Sequence, residues 1–217
     1  IGKPQVSYRE TISQVAKTKK VFERETEKLK QFAGVTLQIE PHQGDDGFLF
    51  ENKVNKKEMT DEFIRAVKSG AEESMHVGCL AGYALINIKA TLLDAVVDSE
   101  SSDATAFKIC TANAFREALM SSGPQLMEPV MNVEVIVPED FLSNVITDLN
   151  SRRARVNNVG LRGHLQQVEA TAPLSEMFGY STNLRSISQG RATYTMTFSD
   201  YEPVSKEVQE KVIHGGY

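Results

Sequence analysis

Arginine is the residue type in this chain best placed to do chemistry. Arg152, Arg153 and Arg155 follow a segment with helical spacing, and Arg162 lies at the next turn. A guanidinium is planar, permanently charged and forked, so such a group can grip the phosphates of a nucleic acid. Cations just beyond a helix also complement its dipole, and residue chemistry alone leaves both roles open. Nothing else in the chain looks reactive. His42, His76, His164 and His214 are scattered, with neither metal-ligand spacing nor a partner for nucleophilic catalysis. His164, at a strand start, reads as structural or exposed. Asp45-Asp46 reads as a solvated turn, because no further carboxylates follow at calcium-loop spacing. No Gly-x-x-x-x-Gly-Lys-[Ser/Thr] loop cradles nucleotide phosphates. Cys79 and Cys110 fit no metal or disulfide pattern and read as buried thiols in a reducing compartment. The expectation is a chain that binds by shape and charge, with no catalytic residue, metal site or cofactor.

Bulk composition narrows this further. The 217 residues are 41% hydrophobic, enough for packed cores. With 29 acidic against 24 basic residues the net charge is -5, so any contact with RNA must be local rather than a general basic coat. No apolar run approaches the roughly 20 residues that cross a bilayer, and no signal peptide is visible, so no membrane role and a cytoplasmic location are expected. The chain opens at Ile1 and enters strand-like sequence within a few residues, which reads as a piece of a longer protein.

Two sets of elements must carry these residues. In the first, Val6 to Val15 suggests an opening strand, Lys17 to Lys30 a charged hairpin, and Val35, Leu37 and Ile39 a strand with one wet face. Phe48 to Val54 is a further strand. Thr60 suits a helix N-cap before Asp61 and Glu62, with Phe63, Ile64, Val67 and Ala71 as the apolar stripe. Tyr83 to Leu93 reads as a central strand, and 94–103 as an acidic loop. Ser102 or Asp103 caps a helix that buries Ala106, Phe107, Cys110, Ala114 and Leu119, and Gly123-Pro124 ends it.

The second set begins near Met127. Val130 to Val137 is a strand, and Pro138-Glu139-Asp140 opens a helix whose core face holds Phe141, Val145, Ile146 and Leu149. Strands follow at Ala154 to Val159 and His164 to Ala172, joined by a turn at 160–163. Leu174, Met177, Phe178, Leu184 and Ile187 recur at helical spacing between Pro173 and Gly190, so one amphipathic helix is expected. Ala192, Tyr194, Met196 and Phe198 then alternate with threonines as a strand, and Glu207 to Ile213 reads as a short closing helix. The order β-α-β-β-α-β is the ferredoxin-like arrangement. The fold class is therefore α+β in two domains, 1–126 and 127–217, the second carrying the closing helix.

Several blocks resemble the two C-terminal domains of elongation factor G, the ribosomal translocase. Gly2-Lys-Pro-Gln-Val-Ser-Tyr-Arg-Glu-Thr-Ile12 and Leu80-Ala-Gly-Tyr83 resemble its fourth domain. Met127-Glu-Pro-Val-Met-Asn-Val-Glu-Val135, Asp148-Leu-Asn-Ser-Arg-Arg153 and the run from Glu176 to Arg191 resemble its fifth. The resemblance implies that the first domain is similar to domain 2 of ribosomal protein S5. It also implies a monomer that binds the ribosome, meeting the decoding region and tRNA with one domain and large-subunit rRNA with the other. GTP and Mg²⁺ would belong to an N-terminal GTPase domain outside this chain, so the parent would be a GTPase while the fragment is no enzyme. Arg152 and Arg153 match the family's basic pair, and with Arg155 and Arg162 they become the expected rRNA contacts.

At the tip of the fourth domain the family carries a glycine-rich loop, Gly-Gly-Arg-Gly-Gln-Tyr-Gly-His. Here the matching region is only Lys30-Gln-Phe-Ala-Gly-Val-Thr-Leu37, with Phe32, Ala33 and Gly34 as its expected tip residues, and the second tip loop reads Val97-Asp98-Ser99-Glu100-Ser101-Ser102. Carboxylates at such a tip repel RNA phosphates. This resembles a paralogue class that splits ribosomes together with ribosome recycling factor, so tRNA–mRNA translocation, ribosome recycling or both stand open as the parent's role. A tetracycline-resistance ribosomal protection protein and a two-domain interaction module with no ribosome link are the alternatives.

Overall fold

The computed structural model describes residues 6–44 and 47–215, so the expected turn at Asp45-Asp46 and the opening Gly2 to Gln5 lie outside the described residues. The chain forms two compact units. One comprises the described part of Arg9–Leu126 together with 204–215; the other comprises Met127–Pro203 with residues 6–8. The sequence boundary after 126 assigns the closing helix to the second domain, whereas the chain re-enters the first body at Val204. Val204 N–H donates to the Leu126 carbonyl (3.1 Å), and Gln209 Oε1 accepts from Leu126 N–H (3.0 Å).

The first body contains β1 (Arg9–Ile12), β2 (Ala16–Glu25), β3 (Lys30–Pro41), β4 (Phe48–Asn52), α1 (Asp61–Ser74), β5 (Ile88–Val96) and α2 (Ala104–Met120). Its sheet runs β2-β3-β5-β4, antiparallel except for the parallel pair β4/β5, which α1 connects. The alternation read in β3 buries Val35, Leu37 and Ile39 beside Ile88 and Leu92, under Val67 of α1 and Phe107 and Phe115 of α2. Both helices start where their caps predict: Thr60 Oγ1 accepts from Phe63 N–H, and Asp103 from Ala106 N–H. At Gly70 a Cβ would lie 2.7 Å from the Lys108 carbonyl, so only glycine lets α1 approach α2 this closely.

Two expectations shift here. The strand expected from Tyr83 begins at Ile88, because 84–86 pair with β1 instead: Glu10 N–H donates to Ala84 O and Ile86 N–H to Glu10 O. It then runs to Val96, into the stretch read as an acidic loop, where Asp94 faces Thr36 and pairs with Lys56 at 2.7 Å. Cys110 is buried as expected, and burial pushes its thiol up to about 11. Cys79 is exposed, since it sits in the loop that leaves α1 rather than in the core.

The second body contains most of β6 (Pro124–Val137), then α3 (Leu142–Ser151), β7 (Arg155–Arg162), β8 (Leu165–Pro173), α4 (Tyr180–Ile187) and β9 (Thr193–Pro203); α5 (Lys206–Ile213) closes the chain. The strands lie antiparallel in the order β9-β6-β8-β7, the ferredoxin-like sheet. Val133, Val135, Val168 and Ala170 pack against Val145, Leu149, Tyr180 and Leu184.

The amphipathic helix expected over 174–187 is broken. A 3₁₀ turn spans Leu174–Glu176, Gly179 turns left-handed (φ 75°), and α4 starts afresh at Tyr180. That left-handed residue interrupts the apolar stripe, leaving Met177 buried and Phe178 exposed. The turn expected at 160–163 tightens to Gly163 (φ 67°), with Gly160 inside β7. Opposite Val130 and Met131 the pairing skips Ser199, and Phe198, expected on the core face, is 54% exposed.

Candidate nucleic-acid interface

The four arginines flagged by sequence all meet carboxylates. α3 ends at Ser151, and Arg152 turns back: its Nε donates to Asp148 (3.1 Å) and a terminal nitrogen to the Glu176 carbonyl (2.6 Å), while its guanidinium lies 5.1 Å from the Tyr180 ring centre. Asp148 is held from the other side by Asn183. Arg153 adopts a left-handed backbone (φ 56°) and forks onto both oxygens of buried Glu128 (3.0 and 3.2 Å), while its Nε donates to Glu176 (3.0 Å). The hydrogen bonds it donates to Glu128 keep this guanidinium charged above even its usual range. On the sheet, Arg155 donates to Glu202 and Arg162 to Glu134, each at 3.2 Å.

These pairs divide by exposure. Arg155 and Arg162 are 72% and 64% exposed, and surface pairs of this kind contribute only about 0–1 kcal/mol, so either cation is free to trade its carboxylate for a phosphate. Arg152 and Arg153 cannot do so without abandoning Asp148 and Glu128 inside the body.

Arg185 and Arg191 were not flagged by sequence. Both are exposed, and neither has a carboxylate partner among the described residues. They flank the turn after α4, where Gly190 N–H donates to Arg185 O (2.8 Å) and Arg191 N–H to Ser188 O (3.0 Å). Gln189 (φ 52°) and Gly190 (φ 74°) are both left-handed, so the turn is tight, and Arg191 is fixed over the Phe141 ring at 5.7 Å. Both lie within or at the end of the Glu176 to Arg191 run that resembles the family, and in the second body they stand out because Arg152, Arg153, Arg155 and Arg162 are matched by carboxylates.

In the first body, the residues assigned to the tip do not all reach it. The β2/β3 turn is Thr26 to Leu29, closed by Thr26 N–H to Leu29 O (2.8 Å). Ala33 and Gly34 lie well inside β3, opposite Phe22 and Val21, and a Cβ on Gly34 would lie 2.9 Å from Val96 Cβ. They shape the sheet and offer no contact surface. Phe32 does meet the second tip loop: its N–H donates to Ser101 O (3.0 Å), and its carbonyl accepts from Ser102 Oγ (2.8 Å).

That loop closes on itself. Asp98 Oδ1 accepts from the N–H groups of Glu100 and Ser101 (both 3.0 Å) and from Ser101 Oγ (2.8 Å). These donors, the Ser101 hydroxyl first, hold the Asp98 carboxyl below its ordinary range. The result is a braced loop with ionised Asp98 and exposed Glu100 and Ser99 on its surface.

Comparison with known proteins identifies the family. Residues 4–123 match the model for elongation factor G, domain IV, and residues 125–212 match the elongation factor G C-terminus. The chain belongs to the elongation factor G family. Curated relatives named Elongation factor G come from Fervidobacterium nodosum (47% identical over 215 residues, 99% of this chain) and Thermotoga maritima (43% over 215 residues, 98%). The chain spans 31% of the length of each of these relatives. A crystal structure of a protein from Thermus thermophilus matches with a TM-score of 0.89 at 28% identity, covering 98% of this chain and 32% of that one. The elongation factor G resemblance read from the sequence therefore holds across both domains, as does the α+β fold. Among the described residues, no helix is long and apolar enough to cross a membrane, and no His, Cys, Asp or Glu cluster could hold a metal ion.

Proposed function

We propose that this chain is the ribosome-docking arm of a translational GTPase of the elongation factor G type. The second body docks on large-subunit rRNA, and the first approaches the decoding region and the tRNA. GTP and Mg²⁺ belong to another domain of the parent; this arm catalyses nothing, holds no cofactor and acts as a monomer in the cytoplasm. The observation that carries the docking role is the pair Arg185 and Arg191, two exposed guanidiniums without a carboxylate partner on either side of one tight turn in a chain of net charge -5. Arg155 and Arg162, weakly paired on the sheet, extend the same phosphate-binding capacity.

Co-sedimentation of the full-length parent with ribosomes, across a salt series, tests this. Arg185→Glu combined with Arg191→Glu is expected to weaken binding by about tenfold or more and to lower the salt slope by about 2, one unit for each lost phosphate contact. An unchanged slope refutes the assignment.

A specific observation favours recycling over translocation. The tip loop is braced and anionic, a poor fit to the phosphates of a moving tRNA–mRNA module. We propose that the parent splits ribosomes after termination, together with ribosome recycling factor. In a reconstituted system lacking other elongation factors, it is expected to support subunit splitting and little translocation. Robust translocation there overturns the recycling role and leaves the docking role standing.

A further inference from the structure

α2 departs from the pattern of a helix packed on one side. Its core face holds Phe107, Cys110, Ala114 and Phe115, all wholly buried. A second arc of the same helix carries Ile109, Ala112 and Met120, with Arg116 in the same row between Ala112 and Met120. A helix resting on one sheet needs one apolar stripe and normally keeps the opposite arc polar. The loop leaving α1 adds Val77 to the second arc. Val77 and Met120 are 66% and 70% exposed, among the most exposed large apolar side chains described. Together these residues line a groove of about 780 Å³ between α1 and α2, wholly within the first body.

The rim gives the groove a sign. Lys108 and Arg116 stand two helical turns apart on α2 along its length. Lys108 is matched by Glu73 across the groove at 2.7 Å. Arg116 is exposed and has no carboxylate partner among the described residues. The rim therefore carries one uncompensated positive charge beside an apolar floor. From Lys108 to Met120 the helix rises about 18 Å, which matches roughly three turns of a second helix laid alongside.

We propose that this groove binds an amphipathic helix of a partner protein, with its apolar face on Ile109, Ala112 and Met120 and an acidic flank against Arg116. The recognition mode is helix-in-groove, in which apolar anchors at i, i+3, i+4 and i+7 supply the contact and the flanking charge selects the partner. The groove belongs to the first body and the arginines of the docking role to the second, so the two can fail separately.

The test uses the whole chain with labelled methionine methyl groups and two synthetic helical peptides of about 15 residues. Both peptides carry leucines on one face; one has glutamates on its flanks and the other lysines. The glutamate peptide is expected to shift the Met120 methyl signal and the amides of 109–112, and to bind about tenfold more tightly than the lysine peptide. The preference is expected to shrink in 0.5 M salt, about three times the physiological ionic strength. Arg116→Glu, a surface change, is expected to reverse it, and Met120→Asp to abolish binding of both peptides. A Met120 methyl signal that neither peptide moves, equal affinities, or concentration-dependent dimerisation that buries Met120 overturns the proposal, the last in favour of a second copy of this chain.

Discussion

Glu10→Ala is expected to destabilise the first body by about 3–5 kcal/mol, the cost of stranding several buried donors that a charged acceptor had satisfied. Glu10 is wholly buried on β1. Its carboxylate accepts from the N–H groups of Leu80 (2.7 Å), Ala81 (3.2 Å) and Tyr83 (2.8 Å), closing the loop after α1 around one side chain. No side chain of the loop could replace it, because the donors are all backbone amides converging on a single point. Glu10→Gln keeps one acceptor oxygen but turns an NH₂ towards amide donors, so a smaller loss of about 2 kcal/mol is expected. Gly78→Ala probes the same contact from the other side. An added Cβ would sit 2.3 Å from the Glu10 carboxyl carbon, and that carboxylate has nowhere to move. Chemical denaturation of each variant checks this. A loss below about 1 kcal/mol for Glu10→Ala, the worth of one ordinary hydrogen bond, would sink the idea that this carboxylate organises the loop.

Arg153→Ala is expected to cost the second body about 3 kcal/mol, because removing one partner of a buried pair leaves the other charged and alone. The Glu128 side chain is only 5% exposed, while that of Arg153 is 39% exposed, which places the expected cost towards the lower end for such pairs. Arg153 also ties Glu176 and Ser175 to the same point, joining β6, the end of α3 and the turn before α4. Two further variants separate charge from backbone. Arg153→Gly loses the same clamp but relieves the left-handed backbone, so it is expected to be about 1 kcal/mol more stable than Arg153→Ala. Glu128→Gln in the Arg153→Ala background removes the stranded charge and is expected to restore about 1 kcal/mol, measurable as coupling in a double-mutant cycle. If Arg153→Ala unfolds with the wild-type midpoint yet loses ribosome binding, Arg153 serves RNA and not the fold.

The two sites also mark how far residue patterns reach. Local signals were legible: the alternation through Val35, Leu37 and Ile39, the caps at Thr60 and Asp103, and the β-α-β-β-α-β order of the second body all rest on neighbours a few residues apart. What escaped depended on partners brought from far along the chain. Glu10 meets amides seventy residues away, and the carboxylates that occupy Arg153, Arg155 and Arg162 come from β6 and β9 and from the turn before α4. The break at Gly179 was hidden because apolar spacing runs on across it, and spacing carries no record of a single left-handed residue. Ala33 and Gly34 were assigned to the tip by matching a shortened loop. Their burial follows from the register of β2 on β3, which puts the turn at Thr26 to Leu29. The blocks around Glu10 and around Leu80 to Tyr83, quoted separately for the family, prove to be two halves of one contact.

α5 carries a consequence for biogenesis. The first body draws this helix from beyond the second, with Gln209 engaging Leu126 and Ser205 capping the helix start. During synthesis the first body therefore stays unfinished while the entire second body is translated. Completion of the first body must await release of residues 206–213 from the exit tunnel, so a product terminated within the second body lacks part of the first as well.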